Sequence, residues 1–324
     1  MTKTKFELKT GPATREAFGK AIAELGKVNP DIVVCDADLS KSTMTHFFAK
    51  DFPERFFECG IAEANMVAVG AGLAAAGKIP FVSSFSAFVM NKGFEQLRVT
   101  AAYPNVNLKV VGTHSGISIG EDGPSQMSIE DLALACALPG FSVLSPCDEV
   151  SMRAVIHEVV RHDGPVFVRA GRAKAAVVYG AGAPAFPIGG SVELVAGTDV
   201  TVIAHGLLVA EAIRAAEALE AEGIAARVID MYSIKPHDKA AVERASRETG
   251  AIVVAEEHLT DSGLGVRVAQ TVAETVPCVM EFVGIDNTYA ESATPEELLD
   301  KYGLLARDVA GAARKAVGRK NARS

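Results

Sequence analysis

Several residue types are scarce in this 324-residue sequence, and their scarcity narrows the class of protein. Tryptophan is absent and aromatic residues make up only 6% of the chain, whereas Ala, Val and Gly are abundant. Small aliphatic side chains are what close-packed helices on a buried parallel sheet require. The composition therefore predicts a soluble α/β protein.

The few cysteines form no recognisable metal or redox motif. There is no Cys-x-x-Cys pair and no Cys/His spacing suited to zinc. We therefore expect reduced, mostly buried thiols and no metal site in this chain. The five residues are Cys35, Cys59, Cys136, Cys147 and Cys278.

Positive charge and long apolar runs are also lacking. The formal net charge is −8, and the only basic cluster, RKAVGRKNARS, is typical of the end of a last helix. A nucleic-acid partner is therefore not expected. No uncharged apolar run is long enough to span a bilayer, and MTKTKFELKT does not resemble a signal peptide. We expect a cytoplasmic protein that contacts no membrane.

Apolar runs alternate with helical patterns in two series. DIVVCDAD, IPFVSS, NLKVVGT, FSVLSP and PVFVRA form the first series, and DVTVIAH, ARVIDM, AIVVAEE and VMEFVGI the second. Such alternation predicts βαβ units and mostly parallel sheets. The aperiodic segment YGAGAPAFPIGG predicts a boundary near Pro187. We therefore predict an α/β domain over 1–187 and a smaller α/β domain over 188–324.

A glycine-rich segment, Gly70 to Ala75, fits the loose dinucleotide pattern Gly-x-Gly-x-x-Ala, but its context is wrong. A nucleotide site needs a strand that ends at the first glycine, whereas here the strand follows, at Ile79. We expect instead that Gly70, Ala71, Ala74 and Ala75 let two helix backbones approach closely, as at a subunit interface.

One carboxylate stands out in CGIAEANMVAVGAGLAAAG, residues 59–77. Glu63 is the only charge there, and it shares a helical face with Met66, Val67 and Gly70. Burying a carboxylate is costly unless a partner compensates. Two readings stay open from the pattern: Glu63 awaits a ligand, or it is a helix N-terminal carboxylate that is solvated or paired with an arginine.

Two further segments place candidate side chains at strand ends. Phe85 and Phe88 follow IPFVSS, and two rings three residues apart form an apolar wall, although such pairs commonly belong to a core. Beside Glu63 this wall predicts a ring-binding slot with one acidic contact. His114 opens a glycine-rich loop, where turn and capping roles explain Asp122 but not the histidine.

Three segments, in this order and spacing, resemble the pyrimidine-binding and C-terminal domains of transketolase: ERFFECGIAEANMVAVGAGLA, SSFSAFVMNKGFEQLR and GISIGEDGPSQMSIEDLA. PATREAFGKAI, DADLSKS and PVFVRAGR extend the likeness over essentially the whole chain. The resemblance implies a thiamine diphosphate coenzyme whose pyrimidine nitrogen is hydrogen-bonded by a catalytic Glu63. It also implies that the pyrimidine ring stacks on Phe85 and Phe88.

The same resemblance assigns residues to the substrate and to the coenzyme cavity. His114, the second catalytic candidate, and Asp122 match positions at the sugar hydroxyls, and Asp38 matches the lining of the coenzyme cavity. Gln126 stands where many family members carry a histidine, which leaves the ketose donor open. The matches to the sugar-phosphate site, where a guanidinium can bind bidentately, are Arg15, Ser42 and Arg172.

One part of transketolase has no counterpart in these 324 residues. In the family, a Gly-Asp-Gly motif that ends in Asn holds the diphosphate through Mg²⁺ or Ca²⁺, and no such motif occurs here. The resemblance therefore implies the C-terminal subunit of a split transketolase, paired with a separate N-terminal diphosphate-binding subunit as a two-plus-two heterotetramer. The implied reaction is transfer of a two-carbon ketol unit from a ketose phosphate to an aldose acceptor.

Three alternatives remain. The beta subunit of a 2-oxoacid dehydrogenase's decarboxylating component shares the size, the two domains and the glutamate, but generally has His-Ser-Gln where this chain reads GEDGPSQM. Deoxyxylulose phosphate synthase is normally a single longer chain. A non-catalytic α/β scaffold subunit is the third, and intact Glu63, His114 and Asp122 argue against it.

Overall fold

The structure is a computed structural model that describes residues 6–322. Its strands are β1 (Thr10–Ala13), β2 (Ile32–Asp36), β3 (Phe56–Glu58), β4 (Ile79–Phe85), β5 (Lys109–Thr113), β6 (Ser142–Leu144), β7 (Val166–Arg169), β8 (Lys174–Ala176), β9 (Val192–Val195), β10 (Val200–Ala204), β11 (Ala226–Asp230), β12 (Ser233–Lys235), β13 (Ala251–Leu259) and β14 (Val279–Ile285).

Helices separate most of these strands. They are α1 (Thr14–Val28), α2 (Ser40–Thr43), α3 (His46–Asp51), α4 (Glu63–Ala75), α5 (Ser86–Lys92), α6 (Phe94–Gln96), α7 (Asp131–Ala137), α8 (Glu149–Arg161), α9 (Leu208–Ala221), α10 (Lys239–Thr249), α11 (Leu264–Glu274), α12 (Pro295–Lys301) and α13 (Ala306–Asn321). A 3-10 turn, Pro53–Arg55, precedes β3, and a π-helical segment, Leu97–Ala102, continues α6. No helix among residues 6–322 has the length and apolar character needed to cross a bilayer.

The first sheet has the spatial order β12-β6-β7-β5-β4-β2-β3 and is parallel except at β12. Strands β2, β5 and β7 consist of buried residues from end to end. A strand that is buried on both faces needs apolar side chains on both, so it reads as a continuous apolar run rather than an alternation. The predicted mostly parallel sheet is confirmed.

The second sheet has the order β14-β13-β10-β11-β9 and is parallel except at β9. It is formed by the second series of apolar runs, as predicted. A two-stranded antiparallel sheet joins β1 to β8. Strands β1, β3, β8, β9 and β12 were not predicted from the sequence, because these three or four residues are interrupted by glycine or by a charged side chain and form no clear apolar run.

The segment over 179–190 is irregular, as predicted, but it is packed rather than free. Tyr179 and Phe186 are buried. The Tyr179 hydroxyl donates to Oδ2 of Asp230, the last residue of β11 in the second sheet, at 2.7 Å. Strand β12 lies in the second half of the chain yet pairs with β6 in the first sheet. We keep Pro187 as the proposed boundary along the chain.

The expectation for the glycine-rich face of α4 was wrong in one respect. A Cβ at Gly70 would lie 2.4 Å from Val82 Cγ1 and 3.0 Å from Leu108 Cδ1, so this glycine lets the helix approach the sheet, not another helix. Ala75 is exposed. The close helix contact runs instead through Gly93, whose Cβ would lie 3.0 Å from Val67 Cγ2 of α4.

Gly70 and Gly72, two residues apart on α4, provide a matched test of this packing. We expect Gly70→Ala to cost about 1–3 kcal/mol in the free energy of unfolding, because the added methyl overlaps a β-branched side chain on a buried strand. A Cβ added at Gly72 would have no neighbour within 4 Å, so Gly72→Ala should stabilise the helix by about 0.5–1 kcal/mol. Urea unfolding of both variants measures this, and an unweakened Gly70→Ala would contradict the packing described.

Candidate functional site

The predicted site residues follow neighbouring strands of the first sheet. Strands β7, β5, β4 and β2 are adjacent and parallel, so the segments after them lie at one edge of the sheet. Asp38 follows β2, Phe88 follows β4, His114 follows β5 and Arg172 follows β7. Residues that are far apart in the chain are therefore brought to one edge.

Three rings stack in a row at this edge. The ring centroids of Phe85 and His114 are 3.8 Å apart with planes 22° apart, and those of Phe85 and Phe88 are 5.3 Å apart with planes 15° apart. Phe88 is only half-buried. The row therefore ends in an aromatic face that another flat group can cover.

Glu63 lies beside the end of this row. It is the first residue of α4 and is only 3% exposed, which excludes the reading of a solvated carboxylate. Its Oε1 is 3.3 Å from Lys92 Nζ, and the same ammonium lies 4.4 Å from the centroid of the Phe88 ring. The ammonium of Lys92 thus lies within reach of both the acid and the aromatic wall.

Sequence reasoning missed Lys92, although the chain carries a signal for it. Lys92 is four residues after Phe88 on α5, a spacing that places the two side chains next to each other on one helix face. Its approach to Glu63 has no local signal, because the two residues are 29 positions apart.

Arg15, Ser42 and His114 form a second group of contacts. Arg15 Nη1 donates to the Ser42 carbonyl oxygen at 2.6 Å and lies 3.2 Å from His114 Nε2. A guanidinium can only donate, so Nε2 accepts and the ring proton resides on Nδ1. Nδ1 then donates to Thr113 Oγ1 at 2.9 Å. The histidine is held in one tautomer by partners on both sides.

The electrostatics of this group keep His114 neutral. Burial, together with the positive charges of Arg15 and Arg172, lowers the pKa of His114 to about 3. Burial and the neighbouring Arg172 also lower the pKa of Arg15. Arg15 Nε is buried and has no hydrogen-bond partner among the described residues. This part of the edge is therefore electropositive, with an unused donor, and suits an anionic group.

Arg172 points its charge into the same region without touching Arg15. Its Nη1 donates to the Ile119 carbonyl oxygen at 2.8 Å and lies 3.4 Å from Glu121 Oε2. The guanidinium is about one-third exposed and its partner carboxylate is mostly exposed, so the salt bridge is open to water. Such a pair can rearrange at little cost.

Three predicted residues lie apart from these contacts. Asp38 is exposed, has a left-handed φ of 61°, and its backbone N–H donates to Glu58 Oε1 at 2.7 Å. Asp122 is exposed on the loop after β5. Gln126 is half-buried and accepts a hydrogen bond from Ser125 Oγ. The chain by itself does not join these three to the aromatic row.

A buried ion pair behind the wall was not foreseen. Asp131 Oδ2 accepts hydrogen bonds from Arg169 Nε at 2.9 Å and from Ser86 Oγ at 2.7 Å. Ser86 is the first residue of α5, the helix that carries Phe88. Burial, the largest single influence, would raise the pKa of Asp131. The charges of Arg169 and His258 and the hydrogen bonds from Arg169 and Ser86 together outweigh it, so the pKa is lowered.

A second buried carboxylate shapes the loop after β2. Asp36 Oδ1 accepts from the Leu39 N–H at 2.7 Å, and Oδ2 accepts from Thr43 Oγ1 at 2.7 Å and Thr45 Oγ1 at 2.8 Å. Burial raises the pKa of Asp36 despite these bonds. The segment after β2, with the short helix α2 that carries Ser42, is thus fixed from inside the sheet.

The arrangement suits a flat group that carries a hydrogen-bond donor on its edge. A buried carboxylate beside an aromatic face can bind the edge of a heterocycle while the face stacks on it. Within residues 6–322, no group of three or more His, Cys, Asp or Glu side chains is arranged to hold a metal ion.

Comparisons with known proteins agree with this geometry. The family profile described as "Transketolase, pyrimidine binding domain" matches residues 10–176, and that described as "Transketolase, C-terminal domain" matches residues 189–309. A putative transketolase C-terminal section from Methanocaldococcus jannaschii is 42% identical over 292 residues, which cover 90% of this chain and 92% of that protein.

Two further relatives are similar over nearly their full length. A subunit of 6-deoxy-6-sulfo-D-fructose transketolase from a Clostridium species is 37% identical over 309 residues, which cover 95% of this chain and 96% of that protein. A solved split gene transketolase, described as an inactive beta4 tetramer, is 48% identical with a TM-score of 0.90 and covers 96% of this chain and 100% of that one. The resemblance seen in the sequence is confirmed: the chain belongs to the transketolase family.

Proposed function

We propose that this chain is the C-terminal subunit of a split, thiamine-diphosphate-dependent transketolase that transfers a two-carbon ketol unit from a ketose phosphate to an aldose acceptor. Membership of the family supports a transferase that depends on thiamine diphosphate. The observation that carries the proposal is that a buried acid, Glu63, and the half-buried ring of Phe88 both lie beside the ammonium of Lys92.

In this proposal the side chains of the chain bind and orient the pyrimidine half of the coenzyme. When bound, thiamine diphosphate supplies the electron sink for breaking and forming the carbon–carbon bond. Glu63 holds the ring nitrogen by a hydrogen bond, which is strong because the carboxylate is shielded from water. Phe88 offers its open face to the ring, Phe85 supports Phe88 from between it and His114, and Asp38 lines the cavity.

The electropositive group is proposed to bind the sugar. Arg15, Ser42 and Arg172 receive its anionic end, which the charges of the two guanidiniums attract. His114, as a neutral ring in one tautomer, and Asp122 hydrogen-bond the hydroxyls. Gln126 can donate and accept but transfers no proton. Pentose phosphates are the default sugars, but the relative named for a sulfonated sugar keeps the choice of donor open.

A separate subunit is proposed to hold the diphosphate and its Mg²⁺ or Ca²⁺. The relatives described as a "C-terminal section" and as a "split gene" transketolase support a two-chain enzyme, which we propose is a cytoplasmic two-plus-two heterotetramer. The solved beta4 tetramer is described as inactive, which supports the need for the second chain. No relative reported above favours the 2-oxoacid dehydrogenase alternative.

Replacing the acid tests the proposal directly. With the partner subunit, thiamine diphosphate and Mg²⁺ present, we expect Glu63→Gln to lower ketol transfer by about 10²–10⁴-fold, because the amide cannot exchange a proton with the ring nitrogen. The measurement is the initial rate with a ketose phosphate and an aldose phosphate.

Glu95→Gln is the matched control, since Glu95 is exposed and pairs with Arg98 on the surface. Its activity should equal that of the wild type, and both variants should keep the wild-type melting temperature within a few degrees. Full activity of Glu63→Gln would remove the acid from its role. Activity of the wild-type chain without a partner would refute the split enzyme.

The anion site predicts a selective effect at Arg172. We expect Arg172→Ala to raise the KM of a phosphorylated donor by about tenfold or more, because it removes a charge-assisted hydrogen bond. The KM of hydroxypyruvate, which has no phosphate, should change little. Equal effects on the two donors would exclude Arg172 from phosphate binding.

The neutral state of His114 predicts a pH dependence of stability. The folded chain keeps His114 unprotonated down to its pKa of about 3, whereas the unfolded chain takes up the proton near pH 6.5. The stabilising effect of the neutral His114 on the free energy of unfolding is therefore fully present above pH 6.5. It is lost as the pH falls towards 3, by at most about 1.4 kcal/mol per pH unit.

His114→Asn isolates this contribution, because asparagine tolerates the left-handed φ of 58° at this position. Between pH 7 and pH 5 the wild type should lose more free energy of unfolding than the variant, as measured by urea denaturation. Parallel losses in the two proteins would show that His114 titrates normally.

A further inference from the structure

Lys92 stands at the point where the coenzyme ring is proposed to bind. Its ammonium contacts Glu63 Oε1 at 3.3 Å and lies 4.4 Å from the centre of the Phe88 ring. These are the two side chains that the proposed function assigns to the edge and the face of the aminopyrimidine. The Lys92 ammonium therefore contacts both the carboxylate and the aromatic face that the aminopyrimidine ring is proposed to use.

The close approach of two helix ends places Lys92 next to Glu63. Lys92 is the last residue of α5 and Glu63 is the first residue of α4. Gly93 follows directly, and a Cβ there would lie 3.0 Å from Val67 Cγ2 and 3.7 Å from the Glu63 carbonyl oxygen. The missing side chain lets the end of one helix lie against the start of the other.

The pair is unequal in its exposure to water. The Glu63 side chain is 4% exposed, whereas that of Lys92 is 52% exposed. A carboxylate buried without a partner carries a large desolvation cost, which the ammonium offsets. The lysine itself remains largely hydrated and has a flexible four-carbon stem, so it can swing into solvent at small cost once another donor reaches the acid.

We propose that Lys92 occupies the pyrimidine slot of the unliganded chain and is displaced by the coenzyme. The inference rests on the proposed function. Before assembly, Lys92 compensates the buried carboxylate of Glu63. By competing for the same slot, it lowers the affinity of the lone chain for thiamine diphosphate. Tight binding then requires the diphosphate contacts of the second subunit, so the coenzyme is retained only in the assembled enzyme.

Calorimetric titration of the purified full chain with thiamine diphosphate tests this competition without any activity measurement. We expect Lys92→Ala to bind about tenfold more tightly than the wild type, the effect of losing a partly hydrated ion pair and a cation–π contact. Lys92→Arg keeps the cation and should restore weak binding.

Two controls separate competition from a general charge effect. Lys78→Ala removes a lysine of similar exposure that pairs with Asp31 at the opposite edge of the sheet, and it should bind like the wild type. In a Glu63→Gln background, Lys92→Ala should bring little further gain, because the ion pair that holds the lysine in the slot is already gone.

Different results would overturn the role of Lys92 and the proposed function. Equal or weaker binding by Lys92→Ala, with measurable binding by the wild type, would overturn the competition and leave the proposed function intact. If neither protein binds thiamine diphosphate, even when assembled with the diphosphate-binding subunit, the proposed coenzyme site is wrong and the role of Lys92 falls with it.

Discussion

The buried ion pair of Asp131 and Arg169 is the interaction on which the geometry of the site depends. Asp131 also holds Ser86 at the start of α5, while Arg169 Nη2 donates to the carbonyl oxygen of Glu257 in the second sheet. The pair thus connects the helix that carries the aromatic wall to the other half of the molecule. Since both charges are buried, losing either one would leave the other uncompensated, which keeps these elements in a fixed relation.

Much of the fold could be predicted because its long strands and helices carry their own periodicity. The site could be predicted in part for the same reason. Phe88 and His114 each follow a recognisable strand, and the carboxyl ends of adjacent parallel strands share one edge. Glu63 was conspicuous as the one charge on an otherwise apolar helix.

The remaining features arise from contacts between distant segments, for which no local pattern exists. Whether Gly70 faces a helix or a strand depends on which neighbour lies beneath it, and that neighbour is Val82. Likewise, Lys92 meets Glu63 only because Gly93 allows two helix ends to touch. The resemblance to transketolase supplied roles for Asp38, Asp122 and Gln126 that the contacts within this chain do not by themselves reveal.

Strand β12 has a consequence for how the molecule can be divided. It belongs to the second half of the sequence but covers the outer edge of β6 in the first sheet. A fragment cut near Pro187 would lose that cover and expose a row of unpaired backbone N–H and C=O groups, a template for association with other strands. The first half of the chain therefore depends on the second to cover its sheet edge. After limited proteolysis between the halves, the two pieces should stay together or aggregate.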